Sequence, residues 1–375
     1  MTRKFTYFFI VTIISYLLVE LICWLFITTK YIPASKPDFK FTWTVKNYPY
    51  QIADLQPAWG TWHYPENFTF SRDCFSVPYL MNSYGARDKE WKQTAADSNS
   101  VIVLGDSFIE GFGIADSNRL SNLLSKKTGR QFLNFGCSDF STTQEYLVYK
   151  HLASGFAHNT ILIGLLPIND FYDNDLEARR GLYDGMVRYR PFYIKQKNNY
   201  SLQFSDRSFQ QATFNKEGYF KKHNSFIGTV ARFLRANTYW FHILDYFRHR
   251  RKADILYKNN YSGFVNYTAE DFERFCFILN QIKMAAPEKR IILFTIPVAT
   301  EIKRYKSDGQ NKLAPQLAAF CKNSNIEFVD LLPVFASVRE QSYFLSCDPH
   351  WNEAANQLAA EYLYKYLQTD TIHQP

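Results

Sequence analysis

The chain contains little that would indicate a metal site, a nucleotide site or a nucleic-acid surface. Its 375 residues include only eight histidines and six cysteines, and no zinc-finger or RNA-binding signature is present. No Gly-Lys-Ser/Thr sequence follows a glycine-rich loop, so a phosphate-binding loop is the weakest interpretation of the glycines. No internal repeat is visible, which argues against a solenoid.

Apolar and basic residues are abundant by contrast. The chain is 46% hydrophobic and 18% aromatic and carries a formal net charge of +8. This composition excludes a disordered chain and allows an anionic partner. Because nucleic-acid signatures are absent, we expect no nucleic-acid partner, and the basic excess favours a membrane surface. The length predicts one core with additions.

Cysteine usage predicts no complete set of disulfides. Cys23 lies in an apolar N-terminal run, and five cysteines lie outside it: Cys74, Cys137, Cys276, Cys321 and Cys347. Because five is odd, at least one of these thiols stays unpaired within the chain. Cys137 and Cys347 both flank candidate site residues, so a disulfide between them is one alternative. Buried small hydrophobic residues are the favoured interpretation.

The apolar run extends from Phe5 to Thr28, and only Glu20 interrupts it. Roughly 20 apolar residues are enough to cross a bilayer. Lysines or arginines lie on both sides, so the positive-inside rule barely decides the orientation. We predict a cytoplasmic stub and uncleaved anchor over residues 1–30, with a cleavable signal sequence as the competing interpretation. Glu20 has no visible partner and is expected to be tolerated or to take part in a helix contact.

Alternating strands and helices predict the core. Val101–Leu104 has the pattern of a buried strand, and four more strands are predicted at residues 131–135, 160–166, 290–296 and 326–331. Helical periodicity predicts helices at residues 142–152, 272–284, 312–322 and from residue 352. Together these elements predict an α/β fold, a three-layer, doubly wound sandwich with a mostly parallel five-stranded sheet.

The remaining segments set the predicted domain boundaries. Residues 31–99 form an aromatic-rich extension, whose rings are expected to pack against the core rather than to bind sugar. The core is divided into residues 100–170 and 269–368, with a tail at 369–375. The aromatic and basic segment 171–268 does not fit the alternation. We expect it to be a lid, an acceptor-binding insertion or a basic face on anionic lipid.

A candidate nucleophile follows the first core strand. Gly105-Asp106-Ser107 lies where α/β proteins place their sites, at the carboxyl edge of the sheet. A hydroxyl there also lies at a helix N-terminus, which favours developing negative charge. The alternative is that Asp106 or Ser107 only caps the helix.

A late loop supplies the partners that a serine nucleophile needs. His350 can accept the proton of Ser107, while Asp348 fixes the imidazole tautomer and stabilises its charge. A metal site is a weaker interpretation, because no second histidine stands at ligand spacing. We therefore predict a catalytic triad of Ser107, His350 and Asp348, with no cofactor and no metal.

In these blocks the chain resembles the SGNH, or GDSL-type, hydrolase superfamily, over roughly residues 82–367 apart from the insertion. Gly105-Asp106-Ser107 resembles the nucleophile block, Gly136 the glycine block and Asn169-Asp170 the asparagine block. The resemblance implies an oxyanion hole made by the N–H groups of Ser107 and Gly136 and the side chain of Asn169. Three neighbours are expected to support the site: Asp106, Asp170 and Trp351.

Two departures from the family pattern bear on the branch. Pro167 replaces the usual glycine of the third block, and the last block is Asp348-Pro349-His350-Trp351 instead of Asp-x-x-His. The shorter last block resembles the alginate-acetylation branch and related polysaccharide O-acetyltransferases.

This branch resemblance implies an esterase or acyltransferase acting on ester-linked acyl groups, acetyl above all, of a cell-surface polysaccharide or lipid. It also implies an anchor in the bacterial cytoplasmic membrane, a catalytic domain on the periplasmic side and a membrane acyl-donor protein as partner. Hydrolysis and transfer stay open. The alternative is a catalytically silent, membrane-anchored glycan-binding or assembly protein with the same fold.

Overall fold

The structure is a computed structural model that describes residues 2–29, 31–32, 34, 36–37, 39, 55–63, 66–72, 74–91, 99–182, 189–197, 199–205, 230, 233–234, 236–247, 262–338 and 343–369. The chain forms two compact units. One, the N-terminal unit, comprises Met1–Tyr48 and Gln211–Tyr261; the other, the α/β unit, comprises Pro49–Gln210 and Ser262–Pro375.

The N-terminal unit contains helix α1 (Thr2–Thr28). This helix is long and apolar enough to cross a membrane, although a signal sequence satisfies the same criterion. A second helical stretch of this unit covers residues 239–247.

The α/β unit contains all the described strands, in chain order β1 (Leu55–Gln56), β2 (Gly60–Thr61), β3 (Phe68–Arg72), β4 (Phe75–Tyr79), β5 (Val101–Leu104), β6 (Phe132–Asn134), β7 (Thr160–Leu165), β8 (Pro191–Gln196), β9 (Asn199–Phe204), β10 (Arg290–Thr295) and β11 (Glu327–Val329). Its helices are α2 (Ser107–Glu110), α3 (Leu120–Thr128), α4 (Thr142–His151), α5 (Pro167–Asp173), α6 (Leu176–Leu182), α7 (Ala269–Ala285), α8 (Ala299–Asp308), α9 (Leu313–Asn323), α10 (Leu332–Ser337) and α11 (Glu353–Thr369). Two short 3₁₀ turns lie at Asp116–Asn118 and Ala153–Gly155.

Five strands form one parallel sheet in the order β11-β10-β7-β5-β6. Every residue of β5 and β7 is buried, as expected of parallel strands covered on both faces. Helix α3 packs against α11, and α4 packs against α7; right-handed crossovers place these two pairs on opposite faces of the sheet. The predicted doubly wound, three-layer fold is confirmed.

The strand order locates the functional edge of this sheet. From β5 the chain crosses to β6 on one side and then returns to β7 on the other. Ligands of open α/β sheets bind in the crevice at such a reversal, outside the carboxyl ends of the strands. The residues that follow β5, β6 and β7 therefore lie at the position that the fold favours for a site.

The aromatic extension packs into the core where it is described. Trp59, Trp62 and Trp91 belong to the main hydrophobic cluster, which confirms the packing interpretation for these rings. Trp43, Tyr48, Tyr50 and Tyr64 lie outside the described residues.

The segment predicted as one insertion, residues 171–268, is divided between the two units. Its part up to residue 210 belongs to the α/β unit, where β8 and β9 form an antiparallel hairpin and β8 packs against α4. Residues 211–261 group with the N-terminal helix instead. Of the predicted tail, only residue 369 is described.

Candidate active site

The turn after β5 holds Ser107 at the start of a helix. Asp106 is the N-cap of α2, and its Oδ1 accepts the N–H of Phe108 at 2.9 Å. The capping interpretation is therefore correct for Asp106. Ser107 is the first residue of the helix, so no residue of the helix itself accepts its N–H. Its hydroxyl is left for another partner.

Two glycines allow α2 to lie directly against the ends of the strands. A Cβ on Gly105 would stand 2.1 Å from Cγ1 of Ile109, and one on Gly136 would stand 2.5 Å from the backbone N of Glu110. Contacts this short are sterically forbidden, so any side chain at either position would push the helix away. The two glycines thus fix the height of Ser107 above the sheet.

Ser107, His350 and Asp348 are joined by hydrogen bonds, although 243 positions separate Ser107 from His350. Nε2 of His350 lies 2.7 Å from Oγ of Ser107, and Nδ1 of His350 is hydrogen-bonded to Oδ1 of Asp348. The same Oδ1 accepts the backbone N–H of His350 at 3.1 Å. With the Nδ1 proton donated to the carboxylate, Nε2 is the acceptor that faces the serine hydroxyl.

Aromatic rings hold the imidazole in this orientation. The His350 ring stacks on Phe112 with centroids 4.2 Å apart and lies 4.7 Å from the Phe108 ring. The buried Trp351 donates its Nε1–H to the Pro297 carbonyl at 3.0 Å and meets Phe108 edge to face. These contacts of Trp351 hold the loop that carries His350.

The other oxygen of Asp348 has a partner that sequence reasoning missed. Nη1 of Arg72, at the end of β3, is hydrogen-bonded to Oδ2 of Asp348. Burial alone would raise the pKa of Asp348, but its hydrogen bond to His350, the charge of that ring and Arg72 hold the pKa below its usual value. The carboxylate is therefore ionised at neutral pH.

A disulfide joins the same two segments covalently. Cys74, directly after β3, is bonded to Cys347, with Cα atoms 5.7 Å apart. The β3–β4 hairpin is thus tied to the loop that carries Asp348 and His350. The adjacency of Cys347 to Asp348 was the available signal, but the sequence does not reveal which cysteine pairs with it.

The interpretation of the cysteines needs correction. A Cys137–Cys347 disulfide is wrong, because the partner of Cys347 is Cys74. Cys137, Cys276 and Cys321 are all buried, so they behave as small hydrophobic residues. The interpretation as buried hydrophobic residues is wrong for Cys74 and Cys347, because the β3–β4 hairpin brings them together in a disulfide.

The three donors implied for an oxyanion hole differ in their surroundings. The Gly136 N–H donates to Oδ1 of Asn134 at 2.9 Å, because an asparagine side chain readily closes a turn onto the N–H two residues further on. The Asn169 carboxamide forms hydrogen bonds with the carboxyl groups of Asp106 and Asp173. The Ser107 N–H lies at the first position of α2.

A cluster of buried carboxyl groups surrounds Asn169. Burial raises the pKa of Asp106 to about 7 and that of Asp173 to about 6. Burial and then neighbouring negative charge raise the pKa of Glu145 and Asp170 well above the usual range. Oδ2 of Asp170 accepts the N–H of Leu166 at 2.7 Å, so this predicted supporting residue closes the turn after β7.

A buried arginine supports the loop that follows the nucleophile. Arg87 donates to the carbonyl oxygens of Gly111 and Ile114, each at 2.6 Å, and its guanidinium lies 3.5 Å from the centroid of the Tyr79 ring. Among the described residues, no three His, Cys, Asp or Glu side chains are grouped to hold a metal ion.

The fold and these contacts define a doubly wound α/β protein with serine, histidine and aspartate side chains in a hydrogen-bonded line at the carboxyl edge of its sheet. No family model matches the chain, and no curated protein matches it.

Solved structures resemble its fold. One is a member of the lipolytic G-D-S-L family from Veillonella parvula, at 14% identity over 72% of this chain and 98% of that chain, with a TM-score of 0.36. Another is a lipase/acylhydrolase from Enterococcus faecalis, at 10% identity over 72% and 96%, with a TM-score of 0.38. A third is a family 3 carbohydrate esterase from Clostridium thermocellum, at 12% identity over 72% and 96%, with a TM-score of 0.36.

Proposed function

We propose that this chain is an SGNH-type serine esterase or acyltransferase in which Ser107, His350 and Asp348 are the catalytic residues. One observation carries the proposal: Nε2 of His350 lies 2.7 Å from the Ser107 hydroxyl while Nδ1 is bonded to Asp348. That arrangement is the one a serine nucleophile needs, with a base within hydrogen-bond reach and a carboxylate that orients the base.

The reaction follows from these contacts. Oγ of Ser107 attacks the acyl carbon as its proton passes to Nε2 of His350, and the carbonyl oxygen becomes an oxyanion. His350 then donates that proton to the leaving alcohol oxygen, so the ester C–O bond breaks and an acyl-serine remains. Water or an acceptor hydroxyl next gives a proton to His350 and attacks the acyl carbon. His350 then returns that proton to Oγ of Ser107 as the bond between Oγ and the acyl carbon breaks, which releases the acid or the acylated acceptor and restores Ser107.

The Ser107 N–H is the proposed first donor to the oxyanion, because it opens helix α2 beside the nucleophile. We assign Gly136 and Asn169 to the same hole. Gly136 joins it when its N–H turns from Asn134 to the substrate, and the stronger charge of an oxyanion favours that exchange.

The proposed location is the outer face of a bacterial cytoplasmic membrane. The Cys74–Cys347 disulfide supports this location, since disulfides persist in oxidising compartments and are rare in the cytosol. Helix α1 provides the span.

The proposed substrate is an acylated, above all acetylated, polysaccharide or lipid of the cell surface, with a membrane protein as acyl donor if the reaction is transfer. Within segment 171–268, α6 and the β8–β9 hairpin belong to the triad's own unit and are proposed as the lid or acceptor side.

The first test is turnover of a short activated ester by the full chain in detergent. Ser107→Ala should lower turnover roughly a thousandfold or more, the scale known for triad nucleophiles. Ser154→Ala, which removes an exposed hydroxyl of the same unit, is the matched control and should retain full activity. Equal turnover by wild type and Ser107→Ala would contradict the proposal. Glycan binding without turnover would support the alternative of a silent binding protein.

The second test separates transfer from hydrolysis. The enzyme is acylated with an activated acetyl ester, and candidate surface glycans are then added. A transferase forms acetylated glycan faster than free acetate, since water competes for the same intermediate. Acetate release that no acceptor changes, with deacetylation of an acetylated glycan, would establish a plain esterase.

A further inference from the structure

One narrow stripe of helix α1 is shielded within the N-terminal unit. Glu20 and Cys23 are half-buried and Ile27 is buried, whereas every other position from residue 3 to residue 28 is exposed. Spacings of three and four residues place these side chains on one helix face. The chain itself therefore covers this face.

The partner of Glu20 is the start of the helical stretch 239–247. Its Oε2 accepts the backbone N–H of Tyr239 at 2.8 Å, and its Oε1 accepts that of Trp240 at 3.4 Å. The Tyr16 hydroxyl, one turn earlier on α1, forms a hydrogen bond with the Trp240 side chain. The first N–H groups of a helix have no partner within it, and a carboxylate there also meets the positive end of the helix dipole. Glu20 thus caps a helix distant in sequence.

A further contact comes from the chain that follows α1. The Phe39 N–H donates to the Ala236 carbonyl at 2.8 Å, and the Phe39 and Tyr239 rings meet edge to face with centroids 6.1 Å apart. Both sides of the 236–239 turn are therefore held inside the N-terminal unit.

The same stretch exposes large apolar side chains. Leu244 is 52% exposed and Phe247 is 50% exposed, three positions apart and hence on one face. Like the exposed apolar side chains of α1, they form a surface that only lipid or another protein would cover. In the sequence, Phe247 is followed directly by the basic run Arg248-His249-Arg250-Arg251-Lys252. An apolar helix face beside a basic run is typical of segments that lie in an anionic membrane interface.

The depth of Glu20 fits such an interface. Glu20 lies about 12 Å along the axis from Thr28, at about 1.5 Å per residue. The helix as a whole exceeds the roughly 30 Å apolar layer of a bilayer. When the helix is centred in the layer, about 5 Å of it extends beyond each face. Glu20 then lies about 7 Å inside the boundary, within the depth of about 5–10 Å at which interfacial helices lie.

We propose that residues 236–247 form a membrane-embedded element that Glu20 docks onto α1, and that Leu244 and Phe247 face the lipid of an anionic bilayer. It follows that α1 is a retained anchor. Removal of α1 as a signal sequence would leave the N–H groups of Tyr239 and Trp240 without the acceptor that the folded chain provides. This proposal does not depend on the proposed catalytic activity.

The test uses the full chain in vesicles of phosphatidylethanolamine and phosphatidylglycerol. In a Cys23→Ala background, Phe247→Cys and Leu244→Cys are labelled with an environment-sensitive fluorophore, with Ser154→Cys as the control on the α/β unit. We expect blue-shifted emission and quenching by lipids brominated on the acyl chain at positions 244 and 247, and neither at 154. Intact mass of the membrane-isolated protein should show that residues 5–28 are retained.

The role of Glu20 is tested in the same system. Glu20→Ala should lower quenching at position 247 severalfold, while a label at Leu17→Cys in α1 stays quenched. Glu20→Gln, which keeps one acceptor oxygen, should fall between Glu20→Ala and wild type. Three results would overturn the proposal: a label at 247 as accessible to water as the one at 154, removal of α1 from the mature chain, or disulfide cross-linking through Phe247→Cys between two copies in place of lipid contact.

Discussion

The two halves of the proposed triad are held in different ways. Ser107 stands on a turn whose supports are close in sequence: a buried strand before it, Asp106 as cap and Gly105 against Ile109. The loop of Asp348 and His350 depends on residues distant in sequence, since Arg72 and the disulfide to Cys74 hold it from another hairpin. The proposed nucleophile is thus positioned by local structure, and the proposed His350–Asp348 pair by a long-range clamp.

This contrast predicts that substitutions on the two sides fail in different ways. A change at the nucleophile removes the chemistry itself. A change in the clamp leaves every reacting group present and loosens the geometry, so activity falls by less and rises again when the loop is restrained.

The largest effect is expected for Asp348→Asn. The amide no longer accepts the Nδ1 proton as a carboxylate does, so the wrong tautomer is favoured; such a change lowers kcat roughly 10⁴-fold in a serine triad. Steady-state kinetics on a short ester measure the loss, and circular dichroism checks the fold. A loss of kcat below about tenfold, against the roughly 10⁴-fold loss known for a serine triad, would show that Asp348 does not orient the base.

The second effect concerns the disulfide. The double variant Cys74→Ser with Cys347→Ser opens a link that spans 273 positions. Loss of a native disulfide typically costs about 2–5 kcal/mol of unfolding free energy, and a displacement of about 1 Å in the loop costs up to roughly 100-fold in rate. Melting temperature and kcat/KM report the two losses.

Reduction of the wild-type protein is the matched control for that variant. Dithiothreitol should lower wild-type activity towards that of the double variant and leave the double variant unchanged. Full activity after complete reduction would show that the hairpin does not position the catalytic loop.

A smaller effect is expected for Arg72→Ala. The Arg72 side chain is 46% exposed, and half-exposed ion pairs contribute little, about 1 kcal/mol or less. We expect kcat to fall severalfold with KM unchanged, and Arg72→Lys to recover part of it. Because Arg72 helps to hold the pKa of Asp348 below its usual value, the variant should lose activity at a higher pH as the solution is acidified. If the variant and the wild type lose activity at the same acidic pH, Arg72 does not act on the pKa of Asp348.

The smallest effect is on stability, and it comes from the buried acids on the nucleophile side. The pKa of Asp106 is raised to about 7 and that of Asp173 to about 6, so between roughly pH 4 and pH 7 the folded chain binds more protons than the unfolded chain. Unfolding free energy therefore falls as the pH rises through this range. Denaturant melts at several pH values should show the slope.

Asp173→Asn should flatten that slope, since the amide does not titrate. The exposed carboxyl variant Glu288→Gln is the control and should keep the wild-type slope. A wild-type stability that rises steadily from pH 4 to pH 7 would contradict the protonation of these carboxyl groups.

The sequence predicted the nucleophile side better than the clamp, for a physical reason. Apolar runs, glycines and turn residues act locally, so β5, Gly105 and Ser107 are visible as a strand, a turn and a helix start. The fold class is confirmed on the same basis, because five such runs are the five strands of one parallel sheet.

Long-range pairing left weaker signals. Nothing near Arg72 indicates Asp348, and five cysteines outside α1 allow many pairings, so the clamp could not be deduced. Glu20 stands out in the sequence as a charge within an apolar run, but its partners Tyr239 and Trp240 are determined by the tertiary fold. Glu145 and Asp173 were missed because a buried carboxyl looks like a surface one in sequence.

Identification of the residue that carries the acyl group tests the central claim most directly. The full chain is reacted with an activated acetyl ester, quenched in acid during turnover, digested and analysed by peptide mass spectrometry. The proposal predicts one acetyl group on Ser107, absent in Ser107→Ala and formed far more slowly in His350→Ala. Acetylation of a different residue at the rate of turnover, or turnover without any acyl-enzyme, would contradict it.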